Sequence, residues 1–297
     1  MLRNIGIFSS GAASMAAANY FHQKFKSNNE IYDKNISENS KIPKMMIPFA
    51  PPGQNSFDIT KTGFPSTINI ITKPNFIISY DRQKRQPFWV MERILKEQIS
   101  VTDVAKRSES NFYPEASVHK YFQSDNKDYT NSGFDRGHLA AAANHRHSQA
   151  SMDSTFSLAN VCPQASGLNR GIWSKLEQYC RALAQHNHAV YCISGPLYLS
   201  YLDTNLNKKF VHYQVIGQNN VAVPTHFFKT IAVHRKSDNK YDLKTFLFPN
   251  VDGIKGENLN EFFCDVEFVE RVGGLMIYDK IPKELIKSVN KPIKQSA

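Results

Sequence analysis

One amphipathic stretch, residues 170–185, constrains the fold of this chain most strongly, because strand-like runs both precede it and follow it. Its apolar residues recur at helical spacing and are Ile172, Trp173, Leu176, Tyr179, Cys180 and Leu183. Runs typical of strands occupy residues 68–72, 76–80, 88–91 and 158–163 before it and residues 191–194, 213–216 and 227–233 after it. A doubly wound parallel sheet requires strands and helices to alternate, and this order does not. We therefore predict an α+β protein with a central, mostly antiparallel sheet.

A single folded domain accounts for most of the 297 residues. A hydrophobic content of 41%, with 20 Phe and 13 Tyr, is enough for a large buried core. Pro48, Pro51 and Pro52 favour an extended entry into that domain. We place the domain at residues 45–278, a leading segment at residues 1–44 and a basic tail at residues 279–297.

The leading segment has the composition of a mitochondrial targeting sequence. Arg3, Lys24 and Lys26 precede the first acidic residue, Glu30, and small or apolar residues lie between them. Arg3 and other polar residues interrupt the apolar runs, so we expect no stable membrane span. Residues 27–44, rich in Asn, Ser and Lys, are typical of a disordered linker. A tail without any targeting function is the alternative.

The net charge of +10 does not by itself indicate a nucleic-acid partner. Residues 1–44 hold six basic and three acidic residues, and residues 279–297 hold five basic and two acidic ones, which leaves +4 on the domain. Affinity for nucleic acid would therefore depend on local clusters, and an isolated charge run is more often a solvated face.

The cysteines predict a reduced interior rather than a metal or disulfide framework. They lie among apolar residues, lack the spacing of a zinc site, and are Cys162, Cys180, Cys192 and Cys264. Reduced core thiols fit an intracellular or organellar location better than secretion.

The run Asp135–Arg136–Gly137–His138 contains groups that could hydrolyse a phosphodiester. Such a reaction needs a neutral imidazole to accept a proton from water, guanidinium groups for the transition state, and a hard cation at the leaving oxygen. Magnesium prefers oxygen ligands and keeps most of its waters, so the amide oxygen of Asn169 would be an adequate protein anchor.

Glu177 and Arg181 follow Asn169 on the predicted helix. At about 100° per residue, Glu177 lies about 80° and Arg181 about 120° around the axis from Asn169, so that the three could face one side. Two interpretations stay open from this spacing. The pair could form an ordinary surface salt bridge, or Glu177 could accept a hydrogen bond from water on a metal while Arg181 contacts the scissile phosphate.

Together these residues resemble the DNA/RNA non-specific endonucleases of the ββα-metal type. The resemblance is carried by residues 133–146, by Asn169, Glu177 and Arg181, and by the stretches 79–81, 89–90, 195–197, 213–217 and 221–229. It extends from about Phe64 to Tyr278. It implies a ββα-metal nuclease fold with the site helix packed on one face of the sheet.

The resemblance also implies an activity and a setting. The expected enzyme is a magnesium- or manganese-dependent endonuclease that cuts DNA and RNA with little sequence preference and leaves 5′-phosphate ends. The expected setting is a homodimer in the mitochondrial intermembrane space that can move to the nucleus during cell death.

By position, the resemblance assigns His138 as general base and Asn169 as the direct metal ligand. Glu177 would hold water on the metal, Arg181 would stabilise the transition state, and Arg136 would position phosphate or brace the loop. Three further residues are supporting candidates. Asp135 would orient neighbouring backbone or the metal's water, and Asn144 would hydrogen-bond the site loop. The family has a further arginine upstream of the site, and Arg107 lies one residue away from the position expected for it.

Alternatives remain at this point. The stretches Gly63–Pro65, Arg82–Pro87 and Cys180–Arg181 are similar to an exonuclease-type branch of the family, although Asp135 matches the endonuclease branch. A catalytically inactive nucleic-acid-binding relative and an interaction protein that uses its basic tails are the other hypotheses. His145 and His147 lack a matching ligand set and are more simply structural.

Overall fold

The computed structural model describes residues 58–101, 104–254 and 258–290. The predicted targeting segment and linker at residues 1–44, and the tail from residue 291 onward, lie outside the described residues. The domain is described from residue 58.

Within the described residues the main sheet has seven strands in the order β1-β2-β3-β6-β11-β12-β13. These strands are β1 Ile70–Thr72, β2 Phe76–Asp81, β3 Gln86–Ile94, β6 Ala189–Leu197, β11 His226–His234, β12 Tyr241–Pro249 and β13 Ile286–Val289. Neighbours are antiparallel except β12 and β13, which are parallel. The predicted α+β class with a mostly antiparallel central sheet is thus confirmed.

Three two-stranded ladders accompany the main sheet in the described part of the chain. Their strands are β4 Asp135–His138 with β5 Val161–Gln164, β7 Tyr201–Asp203 with β8 Lys208–Phe210, and β9 Val215–Ile216 with β10 Val221–Ala222. The α-helices that lie wholly within the described ranges are α1 Lys96–Ile99, α2 Asn126–Tyr129, α3 Gln149–Thr155, α4 Ser166–Leu168, α5 Ser174–His186 and α6 Val266–Gly273.

The two faces of the main sheet have different roles, because side chains alternate between faces along each strand. One face carries Trp89, Tyr191 and Phe228 and forms an apolar core with α6, which contributes Val269. The opposite face packs against α5, whose buried residues Leu176, Cys180 and Ala184 recur every fourth position. This second face supports the candidate site.

The hairpin of β4 and β5 followed by α4 and α5 forms a ββα unit. A Cβ atom at Gly137 on β4 would collide with the side chain of Gln164 on β5, so this close approach of the two strands requires glycine. The pairing sets His138 opposite Val161 at the end of β4.

Several local predictions were wrong. Residues 158–160 form a short 3-10 turn, so that the strand predicted from residue 158 begins at Val161; the strand predicted at 213–216 is limited to Val215–Ile216. The strand β12 and the helix α6 were not predicted. Strand β13 lies in the segment that we expected to be a basic tail.

No helix in the described ranges is long and apolar enough to span a bilayer.

Candidate active site

His138 stands at the end of β4 in an aromatic enclosure. Its ring centroid lies 5.1 Å from that of Phe112 and 4.8 Å from that of Phe156, and the residue is 8% exposed. The Trp173 indole N–H donates to the His138 carbonyl at 3.3 Å, which fixes the backbone. Burial, with the nearby cations of Arg107 and Arg136, lowers the pKa of His138 to about 3. The imidazole is therefore neutral at physiological pH, the state that a proton acceptor requires.

Asn169 is oriented by Asp135. The Asn169 Nδ2 donates to Asp135 Oδ2 at 2.9 Å, and because a carboxylate can only accept, the amide nitrogen must face it. The amide oxygen of Asn169 is thereby left for another partner. Arg170 donates two hydrogen bonds of 3.0 Å to the same carboxylate, and the Ser166 hydroxyl donates another. Burial opposes ionisation of Asp135, yet these donors keep its pKa below the ordinary value.

Arg136 is exposed beside the hairpin. Its guanidinium carbon lies 4.5 Å from the ring centroid of Phe112, and its Nη1 donates to Asn126 Oδ1 at 2.6 Å. With Asp135 and Asn126, Arg136 lines a small open cavity. The side chain therefore has a fixed direction while its charge stays accessible to an anion.

Glu177 and Arg181 lie on α5 and have different surroundings. Burial raises the pKa of Glu177 to about 7, partly offset by the cations of Lys229 and Arg181. The Arg181 Nη1 donates to Asn144 Oδ1 at 3.1 Å. Asn144 is 3% exposed, and its amide nitrogen donates to Glu92. Arg181 is thus tied to the interior through Asn144.

The continuous-helix geometry predicted for Asn169, Glu177 and Arg181 was wrong. The backbone widens into a π-helical turn over Asn169–Trp173, with Gly171 at φ −94° and ψ −113°, and α5 begins only at Ser174. Angles counted at 100° per residue cannot be carried across that turn. Asn169 is placed instead by its contact with Asp135.

Arg107 lies in a short 3-10 turn, Arg107–Glu109, and is exposed. Its guanidinium carbon is 5.2 Å from the ring centroid of Phe156, and its charge acts on both His138 and Glu177. Arg107 is thus at the margin of the site, although the sequence register left it as only a supporting candidate.

Some residues that shape the site were missed by the sequence analysis. Asn160 is fully buried, accepts from the Ala140 N–H and donates to the carbonyls of Ala140 and Thr155. It thereby secures the chain just after His138. A polar residue inside the apolar run 158–163 was the available signal. Glu92 and Lys229 were also missed, since Lys229 lies in a strand-like run and Glu92 directly follows one.

The ligand chemistry fits a lightly held cation. No cluster of three or more His, Cys, Asp or Glu side chains able to hold a metal occurs among the described residues. An oriented amide oxygen at Asn169 suits Mg²⁺, which keeps several waters and accepts phosphate oxygens as ligands. His145 and His147 are placed elsewhere, at 3.3 Å from Glu92 and 3.2 Å from Asn75 respectively.

A strand hairpin that ends in a buried neutral imidazole, flanked by guanidinium groups and an oriented amide oxygen, defines the class of ββα nucleases. The chain belongs to the DNA/RNA non-specific endonuclease family, whose model matches residues 55–284. The predicted family and fold type are thereby confirmed.

Individual relatives agree with that assignment. Mitochondrial endonuclease G of Caenorhabditis elegans is 36% identical over 293 residues, covering 93% of this chain and 94% of the relative. Mitochondrial endonuclease G of Homo sapiens is 40% identical over 224 residues, covering 75% of this chain and 74% of the relative. A chain in the crystal structure of the EndoG/EndoGI complex, which concerns EndoG inhibition, matches with a TM-score of 0.77 and 38% identity, covering 82% of this chain and 100% of that chain.

The protein is accordingly a sequence-non-specific nuclease, a hydrolase of phosphodiester bonds whose substrate is nucleic acid. Enzymes of this family depend on a metal ion.

Proposed function

We propose that this nuclease is a magnesium-dependent endonuclease, also able to use manganese, in which His138 is the general base and Asn169 the direct metal ligand. The observation that carries the proposal is the hydrogen bond from Asn169 Nδ2 to Asp135, which leaves the amide oxygen available to a cation. Glu177 would assist by accepting a hydrogen bond from water in the hydration shell of the ion. When bound, the ion would supply charge stabilisation at the leaving oxygen.

In the proposed reaction, His138 accepts a proton and the arginine side chains stabilise negative charge. A water molecule gives a proton to His138 as its oxygen attacks phosphorus, and the bond between phosphorus and the 3′ oxygen breaks. The leaving 3′ oxygen takes a proton from solvent water, which gives a 5′-phosphate and a 3′-hydroxyl. The His138 Nε2 is buried without a hydrogen-bond partner in the described residues, so in this proposal Nδ1 is the nitrogen that accepts the proton. Arg181 and Arg136 would stabilise the negative charge of the transition state and position the phosphate.

Low sequence preference follows from this chemistry, because contacts to phosphates carry no base information. Affinity for DNA and RNA should fall steeply as salt rises.

The proposed setting is a mitochondrial homodimer in the intermembrane space that can enter the nucleus during cell death. Support comes from the acid-free sequence of residues 1–29 and from relatives that are themselves named mitochondrial. Light scattering on the purified protein tests the dimer. Fractionation of cells that express the full chain, and a chain lacking residues 1–44, tests the location.

The activity is tested on closed-circular plasmid DNA with Mg²⁺, with Mn²⁺ and with chelator. The expected result is nicking with either ion, none with chelator, and products that a 5′-phosphate-dependent exonuclease degrades. Cleavage that persists in chelator would contradict the metal assignment. Activity restricted to linear substrates would favour the exonuclease-type alternative.

A further inference from the structure

Glu92 is a buried carboxylate on the site side of the main sheet that the proposed reaction does not use. It is 2% exposed. Because Trp89 and Met91 of β3 belong to the core on the opposite face, alternation directs Glu92 away from that core. A buried carboxylate is costly unless it is paired, so its contacts indicate what it does.

Glu92 determines which way the amide of Asn144 points. The Asn144 Nδ2 donates to Glu92 Oε2 at 3.0 Å, and a carboxylate at that position accepts only from the nitrogen. The amide oxygen of Asn144 must then face the other way, where it accepts from Arg181 Nη1 at 3.1 Å. If the amide were reversed, its NH₂ group would face a guanidinium, which has only donors.

Two neighbouring groups keep Glu92 ionised in the interior. His145 Nε2 lies 3.3 Å from Glu92 Oε2, and Lys229, 1% exposed, carries a charge that acts on the same carboxylate. Although burial opposes it, these groups hold the pKa of Glu92 below its ordinary value. Lys229 also donates to the carbonyl of Leu139, the residue after His138, at 3.3 Å.

We propose that Glu92 is a positioning residue of the nuclease, which fixes the amide of Asn144 so that its oxygen holds the guanidinium of Arg181 at the scissile phosphate. The inference rests on the role given to Arg181 in the proposed function. In this proposal Glu92 contacts neither substrate nor metal and acts on Arg181 through Asn144.

The test moves the negative charge from position 92 to position 144. In Glu92→Gln the carboxylate that orients Asn144 is lost. In the double variant Glu92→Gln with Asn144→Asp, the amide nitrogen introduced at position 92 can donate to the carboxylate introduced at position 144, which again accepts from Arg181. Glu115→Gln is the matched control, since Glu115 is also buried but is bonded to Lys73, Ser117 and Ser157. Arg181→Ala supplies the reference.

Steady-state cleavage of a duplex oligonucleotide with Mg²⁺, as a function of substrate concentration, and the melting temperature of each variant are measured. We expect Glu92→Gln to lower kcat by at least about tenfold, the loss of one hydrogen bond to a charged group, with a smaller change in KM. The exchanged double variant should recover most of that loss, and Glu115→Gln should change the melting temperature but not kcat.

Three results would overturn the proposal. The first is wild-type kcat in Glu92→Gln while Arg181→Ala is impaired. The second is a double variant that folds but is no more active than Glu92→Gln. If Glu92→Gln does not fold, a double variant that folds but is inactive has the same meaning. The third concerns Asn144→Ala and needs no change at Glu92. A residue that acts through Arg181 has no effect on kcat once Arg181 is gone, so Asn144→Ala must not lower kcat equally in the wild-type and Arg181→Ala backgrounds. Wild-type activity in Arg181→Ala would instead contradict the proposed function.

Discussion

The amide nitrogen of Asn169 donates to the carboxylate of Asp135 across 34 residues of sequence, at 2.9 Å. This contact joins the hairpin that ends in His138 to the turn that precedes α5. One carboxylate therefore links the two halves of the candidate site, and the role that we propose for Asp135 is to orient the amide of Asn169.

Replacing Asp135 with Asn should weaken metal binding more than catalysis. The uncharged side chain can no longer dictate the orientation of the Asn169 amide, and loss of such a supporting carboxylate lowers metal affinity by about 10- to 100-fold. The measurement is cleavage rate as a function of Mg²⁺ concentration. Ser166→Ala, which removes a different donor to Asp135, is the control and should shift the curve less. Unchanged Mg²⁺ dependence in Asp135→Asn would refute the orienting role.

The buried His138 should make the fold less stable in mild acid. Its pKa is about 3 in the folded protein, and an unfolded histidine has a pKa of about 6.5. Between these values the unfolded chain binds more protons, so the free energy of unfolding falls as pH drops from about 6.5 toward 3. Urea unfolding at several pH values should therefore show a shallower decline for His138→Phe than for the wild type. Equal declines would mean that His138 is not held neutral by the fold.

Metal binding should depend on pH through Glu177. Burial raises its pKa to about 7, and a cation held near it favours the ionised form, so binding should release protons and tighten as pH rises through about 7. Calorimetric titration of Mg²⁺ in two buffers of different ionisation enthalpy measures the protons released. In Glu177→Gln the affinity should be lower and nearly independent of pH in this range. If the Mg²⁺ affinity of Glu177→Gln depended on pH as that of the wild type does, Glu177 would not be the group that links metal binding to pH.

Gly137→Ala should disturb the hairpin. The added methyl group would meet the side chain of Gln164, and overpacking of this kind destabilises a protein by about 1 to 3 kcal/mol. Activity should fall with stability, because His138 is the next residue. Adding Gln164→Gly removes every side-chain atom that the methyl group would meet, the Cβ of residue 164 included, and should restore most of both. A single Gly137→Ala variant with wild-type melting temperature would show that the strands can separate without penalty.

The parts of the fold with strong periodicity could be predicted from the sequence. The strands β2, β3, β6 and β11 and the helix α5 were found from apolar runs and helical spacing. The missed strand β12 does alternate in its first half, where Tyr241, Leu243 and Thr245 are buried and Asp242 and Lys244 between them are partly exposed, so that signal was present. Strand β13 was not readable, because it is short, its apolar and polar residues do not alternate, and it forms by pairing with β12.

The candidate site was predictable as a set of residues but not as a geometry. The residue types at 136, 138, 169, 177 and 181 are those that the proposed chemistry needs, and a motif can be read from spacing. The orientation of the two amides cannot be read from the sequence. Asp135 approaches Asn169, and Glu92 approaches Asn144, only in the tertiary structure. The widened turn at Gly171 likewise has no signal beyond a glycine.

The most direct test of the whole account is single-turnover cleavage by His138→Ala, with duplex binding measured on the same preparation. Without the imidazole no group accepts the proton of the attacking water, so cleavage in saturating Mg²⁺ should fall by about 100- to 10,000-fold. Binding should persist, since the arginines remain. Cleavage near the wild-type rate would contradict the assignment of His138 as general base and with it the proposed mechanism.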